Sequence, residues 1–252
     1  MTDTHEIVTL ITGADKGIGF ATAEGLGKLG QHVLVGSRNT ERGQAAVDKL
    51  TAEGIKATLI VLDVTDKDTI KQAVDTINKQ FGYLSVLINN AGIALDRHQV
   101  PSKLSTDVIR KEYDVNFFGM IDVTQAMLPL LKKDTPAKII NLSSNMGSFG
   151  LTTDPNNRLY NVSAVGYQSS KAAVNFFTVD LSKELADEGI TVNSVNPGWT
   201  ATEFGGRPKD APKIPGMQDI ADGARQSIKM ASLPREDKTT GTFSEFEGQM
   251  PW

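Results

Sequence analysis

Short apolar runs that do not alternate with polar residues recur along this chain, and stretches of helical spacing separate them. The runs are IVTLIT (7–12), HVLVGS (32–37), ATLIVLDV (57–64), LSVLINNAG (84–92), KIINLSS (138–144) and TVNSVN (191–196), with GTFSEF (241–246) as a last one. A strand that is apolar at successive positions must bury both faces, which is the situation of a parallel sheet covered by helices on either side. Between the runs, residues 18–29 read as a helix. TERGQAAVDKLTAEG brings Ala45, Val47 and Leu50 near helical spacing before the stop at Gly54. TDKDTIKQAVDTINKQFG sets Thr65 and Asp68 at capping-box spacing and lines up Ile70, Val74, Ile77 and Phe81 on one face. Further helical patterns cover 105–131, a segment beginning near Tyr167, and 220–231. A length of 252 residues allows one large domain or two small ones. With no internal repeat and no compositional break, the expectation is one α/β domain over 1–252, a doubly wound parallel sheet of Rossmann type with helices on both faces.

Composition narrows the partners. The net charge of −4 is spread without long runs of one sign, so no basic face offers itself to nucleic acid or to an anionic membrane. The absence of cysteine excludes disulfides, thiolate nucleophiles and cysteine-ligated zinc. His5, His32 and His98 stand far apart with no partner at metal-ligand spacing, so no metal site is expected. The opening MTDTHEIVTLITG matches neither a signal peptide nor a membrane span, which makes a cytoplasmic location the default expectation. A small molecule is the favoured partner.

TGADKGIG places Gly13, Gly17 and Gly19 between the first strand and the first helix. Glycines there permit a tight turn and let a pyrophosphate approach backbone N–H groups at a helix N-terminus, although the spacing is not G-x-G-x-x-G. The second strand ends in GSRN, with Ser37 and Arg38 where an NAD-binding site would place a carboxylate for the ribose 2′-OH. A guanidinium fork suits a 2′-phosphate, and Lys16 adds a second cation from the glycine turn. NADP(H) is therefore expected over NAD(H).

Further markers follow in order: Asp63 after the third strand, NNAG at 89–92, Asn116, NLSS at 141–144, YQSSK at 167–171 and NPGWTAT at 196–202. With the glycine turn they resemble the short-chain dehydrogenase/reductase family over nearly the whole chain. TGADKGIGFA, SRNTERGQAAVDKL and PGWTATEFGG are similar to its NADPH-dependent carbonyl reductases. The resemblance implies that Asp63 and Val64 contact adenine, that Asn90, Ala91 and Gly92 line the cofactor, and that Pro197, Gly198, Trp199, Thr200 and Thr202 hold the nicotinamide carboxamide. Asp15, Ile18 and Asn39 complete the expected cofactor contacts, and Asn116, Ser144, Tyr167 and Lys171 the catalytic set. Reduction of aldehydes or ketones to alcohols, reversible toward secondary alcohols, is the implied activity. A reductase dedicated to one lipid, sterol or other pathway ketone, and a non-catalytic NADP(H) sensor, are the alternatives.

Such a reaction needs a proton donor within hydrogen-bond reach of the carbonyl oxygen. Of the four tyrosines, only Tyr167 meets a lysine four residues on; Tyr83, Tyr113 and Tyr160 meet Leu87, Phe117 and Ala164. A lysine cation about 4 Å from a phenolate, at an effective dielectric of about 20, contributes roughly 4 kcal/mol, or about three pKa units. Lys171 is thus expected to make the Tyr167 phenol more acidic, with phenolate desolvation opposing part of the effect. Ser144 is expected to hold the carbonyl oxygen, with neighbouring Ser143 as its competitor. By the resemblance, Lys171 also holds the nicotinamide ribose and Asn116 supports a water leading from Lys171 to solvent.

Ser144 and Tyr167 are unusually far apart, with 22 residues between them. A turn-rich surface excursion is expected at about 150–166, which assigns Tyr160 to the mouth of the pocket and leaves open whether the protein is a monomer or a homo-oligomer. FGGRPKDAPKIPGM (204–217), with three glycines and three prolines, is expected to form a lid over substrate. Met146, Phe149 and Trp199 are candidates for apolar pocket surface.

Overall fold

Every apolar run of the sequence enters one sheet. A computed structural model of the chain describes residues 5–208 and 210–252. The strands are β1 Val8–Thr12, β2 His32–Ser37, β3 Ala57–Val61, β4 Val86–Asn89, β5 Ala137–Leu142, β6 Ile190–Val195, β7 Phe243–Glu245 and β8 Gly248–Gln249. They lie in the order β3-β2-β1-β4-β5-β6-β7-β8. All pairs from β3 to β7 are parallel, and β8 alone runs antiparallel, on β7. The two-residue β8 had no signal in the sequence, since it exists only by folding back on β7. The helices are α1 Gly17–Lys28, α2 Thr40–Ala52, α3 Lys67–Gln80, α4 Thr106–Tyr113, α5 Met120–Leu131, α6 Phe149–Thr152, α7 Val165–Glu184 and α8 Ile220–Ala231. The architecture is the doubly wound, Rossmann-type α/β fold.

The strands lack polar alternation because each face of the sheet has its own apolar layer. Leu10, Leu34, Leu87 and Ile139 join Ile77 and Met127 in one cluster, whereas their strand neighbours Ile11, Val35, Ile88 and Ile140 join Leu26 and Leu50 in the other. Successive side chains point to opposite faces, so a two-layer cover demands apolar residues at both parities. Each fully buried aliphatic side chain contributes roughly 1.5–3 kcal/mol of transfer free energy.

Three local expectations change. Asp66, not Thr65, caps α3: its carboxylate accepts the N–H groups of Asp68 and Thr69, while the Thr65 hydroxyl turns back to donate to Asp63 at 2.7 Å. On α2 the buried face is Gly43, Ala46, Val47 and Leu50, so Ala45 faces solvent. The helical stretch between 105 and 131 is not uniform, because Asp114–Gly119 form a π-helical segment between α4 and α5. Such one-turn widenings recur at functional sites, and this one contains the buried Asn116.

The winding switches sides at β1: β2 and β3 are added on one side of it, and β4 to β7 on the other. A crevice at the carboxyl ends of β1 and β4 is therefore the ligand position for this topology. Both strand ends are tied together there. Asn90 Nδ2 donates to the carbonyls of Thr12 and Gly13 at 2.8 and 3.0 Å, and the N–H groups of Asn90 and Ala91 donate to the Thr12 hydroxyl at 3.0 and 2.9 Å. Beneath them runs a buried polar chain through Asn89, Asn141 and Thr178 to Ser194, with bonds of 2.8–2.9 Å.

Candidate active site

The glycine turn is shaped for a phosphate. Gly13 and Gly17 take φ values of 65° and 58°, a region that side chains with a Cβ disfavour. A Cβ at Gly19 would stand 2.5 Å from both Asn90 Nδ2 and the Gly13 carbonyl. The N-terminus of α1 has no side-chain cap and no acidic residue in its first turn. Uncapped N–H groups, the positive end of the helix dipole and a cradle that any Cβ would fill together fit a dinucleotide pyrophosphate.

Charges around that turn are shared in ways the sequence did not announce. Lys16 is ion-paired with Glu203, at the threshold of the 204–217 segment. Asp15 accepts from Arg42 Nε at 2.7 Å, and the N–H of Arg42 donates to Asn39, the N-cap of α2. Arg42 is thus an additional cation beside Ser37 and Asn39. Arg38 is exposed and has no ion-pair partner among the described residues. Ser37 is buried, and its hydroxyl bonds the backbone of Asn39. Asp63 organises the β3–α3 turn by accepting from the Thr65 N–H at 2.9 Å, and buried Val64 places its carbonyl against Gly119.

Four expected catalytic residues converge beyond the carboxyl end of β5. Ser144 follows that strand by two residues and accepts the N–H of Met146 at 3.2 Å. Ser143, its competitor, is turned away and donates to the Lys171 carbonyl at 3.2 Å. Tyr167 and Lys171 lie one turn apart on α7, with Lys171 Nζ 5.8 Å from the centroid of the Tyr167 ring. Asn116 is fixed on both sides: Nδ2 donates to the Ile93 carbonyl and to Ser170 Oγ, and Oδ1 accepts the Ile93 N–H. Gly92 separates Asn116 Oδ1 from Lys171 Nζ, for a Cβ there would meet them at 3.3 and 3.6 Å.

The electrostatics differ from the expected simple pairing of lysine and phenol. Lys171 donates to the Leu142 carbonyl at 2.7 Å, and burial pulls its pKa down to about 8. Burial pushes the Tyr167 phenol up to about 12; a hydrogen bond from Ser144 lowers it, while the charges of Glu112 and Asp96 raise it further. In this structure burial outweighs what lowers the phenol. Desolvation dominates both groups, and the flexible lysine stem delivers its head to a strand-end carbonyl. At neutral pH the phenol holds its proton, the state a proton donor requires.

Around this centre, Asn196 ties two loops together, accepting from the N–H groups of Asn145 and Gly198 at 3.0 and 3.2 Å and donating to Glu245 at 2.8 Å. Gly198, at φ 74°, leaves room for the Gln218 side chain, which bonds the Pro197 carbonyl and Thr200. The Cγ of Thr202 lies 3.7 Å from where a Cβ on Gly17 would be, bringing the 196–202 segment up to the glycine turn. Phe204 sets its ring edge-on at 5.5 Å from that of Tyr167. Within 204–217, Lys209 lies outside the described residues. Trp199 is partly exposed and faces Gly216.

The 150–166 excursion is shorter than expected, because α6 takes up 149–152 and α7 already starts at Val165. It is fastened by Ser148 and Gly150, which donate to the carbonyls of Pro251 and Trp252 at 2.8 and 2.9 Å. Tyr160 is half exposed and has no ring contact with Tyr167 among the described residues. Thr12, Arg42, Asp96, Glu112 and Asn196 were not singled out in the sequence; each acts through a partner distant in the chain, although Thr12, Arg42 and Asn196 stand inside the TGADKGIG, SRNTERGQAAVDKL and NPGWTAT stretches.

No described group of three or more His, Cys, Asp or Glu residues is placed to hold a metal ion. Among the described residues no helix is long and apolar enough to cross a membrane. The sequence model for short chain dehydrogenase matches residues 7–212. A short-chain dehydrogenase of Penicillium roqueforti is 33% identical over 233 residues, covering 89% of this chain and 88% of that protein. The 5-keto-D-gluconate 5-reductase of Escherichia coli K12 is 37% identical over 198 residues, 77% of this chain and 72% of its own. Among solved structures, NADPH-bound carbonyl reductase from chicken fatty liver superposes with a TM-score of 0.82 at 27% identity, covering 98% of this chain and 100% of that one. The alcohol dehydrogenase of Thermococcus sibiricus, at 24% identity and a TM-score of 0.83 over 96% of each chain, shares the fold. With its ordered motifs folded into one crevice and these relatives beside it, the chain belongs to the short-chain dehydrogenase family of oxidoreductases.

Proposed function

We propose that this oxidoreductase uses NADPH to reduce aldehyde or ketone carbonyls to alcohols and runs in reverse on secondary alcohols. The observation that carries the reading is the convergence of Ser144, Tyr167 and Lys171 beyond β5, facing the uncapped glycine turn across the crevice. When bound, the nicotinamide supplies the hydride. Tyr167 donates the proton to the developing alkoxide, and Ser144 orients the carbonyl oxygen. Lys171 has three N–H donors and uses one on Leu142, leaving two for the nicotinamide ribose. Asn116 steadies the Gly92 region against Lys171.

In this reading Gly13, Asp15, Lys16, Gly17, Ile18 and Gly19 hold the pyrophosphate side, Asp63 and Val64 the adenine, and Asn90 to Gly92 the middle of the cofactor. Pro197, Gly198, Trp199, Thr200 and Thr202 hold the carboxamide. Ser37, Arg38 and Asn39 take the adenosine ribose, and Arg38 with Lys16 favours a 2′-phosphate, in keeping with the NADPH bound to the chicken carbonyl reductase. The chain then works as one oxidoreductase domain in which 204–217 closes over substrate. A single dedicated ketone remains the second reading, favoured by relatives named for one substrate each, such as 5-keto-D-gluconate 5-reductase and the 3-oxoacyl-[acyl-carrier-protein] reductase of Synechocystis. The test is NADPH oxidation against aldehydes, diketones, ketoesters, keto sugar acids and cyclic ketones, run beside NADH. Turnover of several classes with NADPH preferred is expected; a higher kcat/KM with NADH would overturn the cofactor assignment, and turnover confined to one compound would select the dedicated reductase.

A further inference from the structure

Helix α7 carries both Tyr167 and Lys171, yet its N-cap residue gives no side-chain acceptor to the first-turn N–H groups, and its own Gln168 reaches back only to accept the Ala164 N–H at 2.9 Å. The N-cap residue is Ala164, which offers no side-chain acceptor, and no acid stands in the first turn. The acceptor comes from elsewhere in the fold: the N–H of Tyr167 donates to Asp96 Oδ2 at 3.2 Å, across 71 residues. Asp96 is itself buried and held from behind. Its N–H and that of Leu95 donate to Glu112 Oε1 at 3.2 and 2.6 Å.

Glu112, on α4, is completely buried, and its Oε2 has no hydrogen-bond partner among the described residues. That oxygen presses on the first turn of α7, where a Cβ at Gly166 would collide with it. The loop beyond Asp96 passes through two successive non-glycine residues of positive φ, Arg97 at 48° and His98 at 59°. His98 Nδ1 lies 3.1 Å from the Ser163 carbonyl, and Ser163 Oγ donates to the Gln99 carbonyl at 3.4 Å. A left-handed conformation at two side-chain-bearing residues persists where the surroundings over-determine it. Here the surroundings are the residues leading into α7.

We infer that Asp96 and Glu112 form a two-carboxyl clamp, reaching from the β4 exit and from α4, that replaces the missing cap of α7 and sets the position of Tyr167. Both are positioning residues, and their role rests on the assignment of Tyr167 as proton donor. First-turn N–H groups and the helix dipole favour a carboxylate at this end, and Asp96 supplies one without occupying the crevice. Gly166 is small because Glu112 needs the space. The same two carboxyls bias the phenol toward its protonated form, and burial holds the Glu112 carboxyl above the usual carboxylate range. Among the described residues the remaining charged group against Tyr167 is Lys171 on its own helix; Ser144 and Phe204 bring no charge, and Arg97 and His98 follow Asp96 on its loop.

The test compares Asp96→Asn, Asp96→Ala and Glu112→Gln in the full chain. Asp96→Ala removes the acceptor, so kcat should fall about tenfold or more through loss of alignment, with KM for NADPH within about twofold. Asp96→Asn keeps an acceptor oxygen and should recover most of kcat. By removing negative charge it should move the acid limb of alcohol oxidation, which needs the phenolate, to lower pH by roughly half a unit or more. Glu112→Gln should shift that limb in the same direction. Hydrogen exchange at the Tyr167 amide in the cofactor-free protein should accelerate in Asp96→Ala and stay slow in Asp96→Asn. Unchanged kcat, unchanged pH profile and unchanged exchange in the Asp96 variants would overturn the clamp, and Asp96→Asn alone decides if Asp96→Ala fails to fold. Should the native protein reduce no carbonyl, the functional assignment fails, while amide exchange still decides whether the clamp exists.

Discussion

Helices α1 and α7 both begin at the crevice, and neither has a side-chain cap at its own N-cap residue. At α1 the open N–H groups face a cradle of glycines with Lys16 and Arg38 near by, so the electrostatics favour an incoming anion. At α7 the fold brings Asp96 to the Tyr167 amide and Glu112 to Gly166, so the anion is already part of the protein. The same local deficiency therefore has two outcomes: one helix end stays open, and the other is closed by carboxyls from elsewhere in the fold, which under the proposed function would hold Tyr167 and Lys171 still. Helix α3 provides the ordinary case, in which Asp66 caps its own helix.

The largest effect that would separate these ends is expected from Tyr167→Phe. Carbonyl reduction should fall roughly 10²- to 10⁴-fold, the usual worth of a general acid, while NADPH binding measured by fluorescence titration stays within about twofold. Near-normal turnover would remove Tyr167 from the chemistry and leave α7 as a structural helix. The pH dependence of stability supplies the next contrast. The folded protein binds fewer protons than the unfolded chain at Lys171 between pH about 8 and the ordinary lysine value of 10.5, so this group makes stability rise with pH across that window. For Tyr167 the folded pKa of about 12 lies above the ordinary 10, so its contribution is lost as pH rises from 10 to 12. Urea unfolding at a series of pH values should show the loss above pH 10 in the native protein and less of it in Tyr167→Phe; identical slopes would refute the raised phenol.

At α1, Arg38→Ala should cut the preference for NADPH over NADH by roughly 10- to 100-fold, the scale of a hydrogen bond to a charged group. An unchanged ratio of kcat/KM values would pass the 2′-phosphate to Lys16 and Arg42. Gly19→Ala should cost about 1–3 kcal/mol of stability from overpacking against Asn90 and weaken cofactor binding as well, read by thermal unfolding with and without NADPH. The smallest effect is expected at the ordinary cap: Asp66→Ala should lower stability by about 1 kcal/mol and leave kcat and KM unchanged. A catalytic effect there would blur the distinction between structural and functional helix ends.

Much of the fold follows from short-range pattern. Consecutive apolar residues at both parities, as in VTLIT and KIINL, mark strands covered on both faces, and the strand bounds of β2 match the sequence run residue for residue. The glycine turn and the Tyr167–Lys171 spacing are equally local, since backbone freedom and helical periodicity act within a few residues. Where the pattern misled, a local competitor prevailed: Asp66 lies nearer the α3 amides than Thr65 does, and the π-helical segment adds a residue that a 3.6-residue period does not foresee.

By itself the sequence determined the parallel sheet, the position of the glycine turn and the one-turn spacing of Tyr167 and Lys171. Only the tertiary structure decided what those groups feel. It sent Lys171 to the Leu142 carbonyl, lashed Asn90 to Thr12 across 78 residues, and brought Asp96 and Glu112 to the start of α7. The physical reason is range: secondary structure and i, i+4 geometry are set by neighbours along the chain. Burial, charge and hydrogen-bond partners at the site depend instead on which strand ends the topology places side by side.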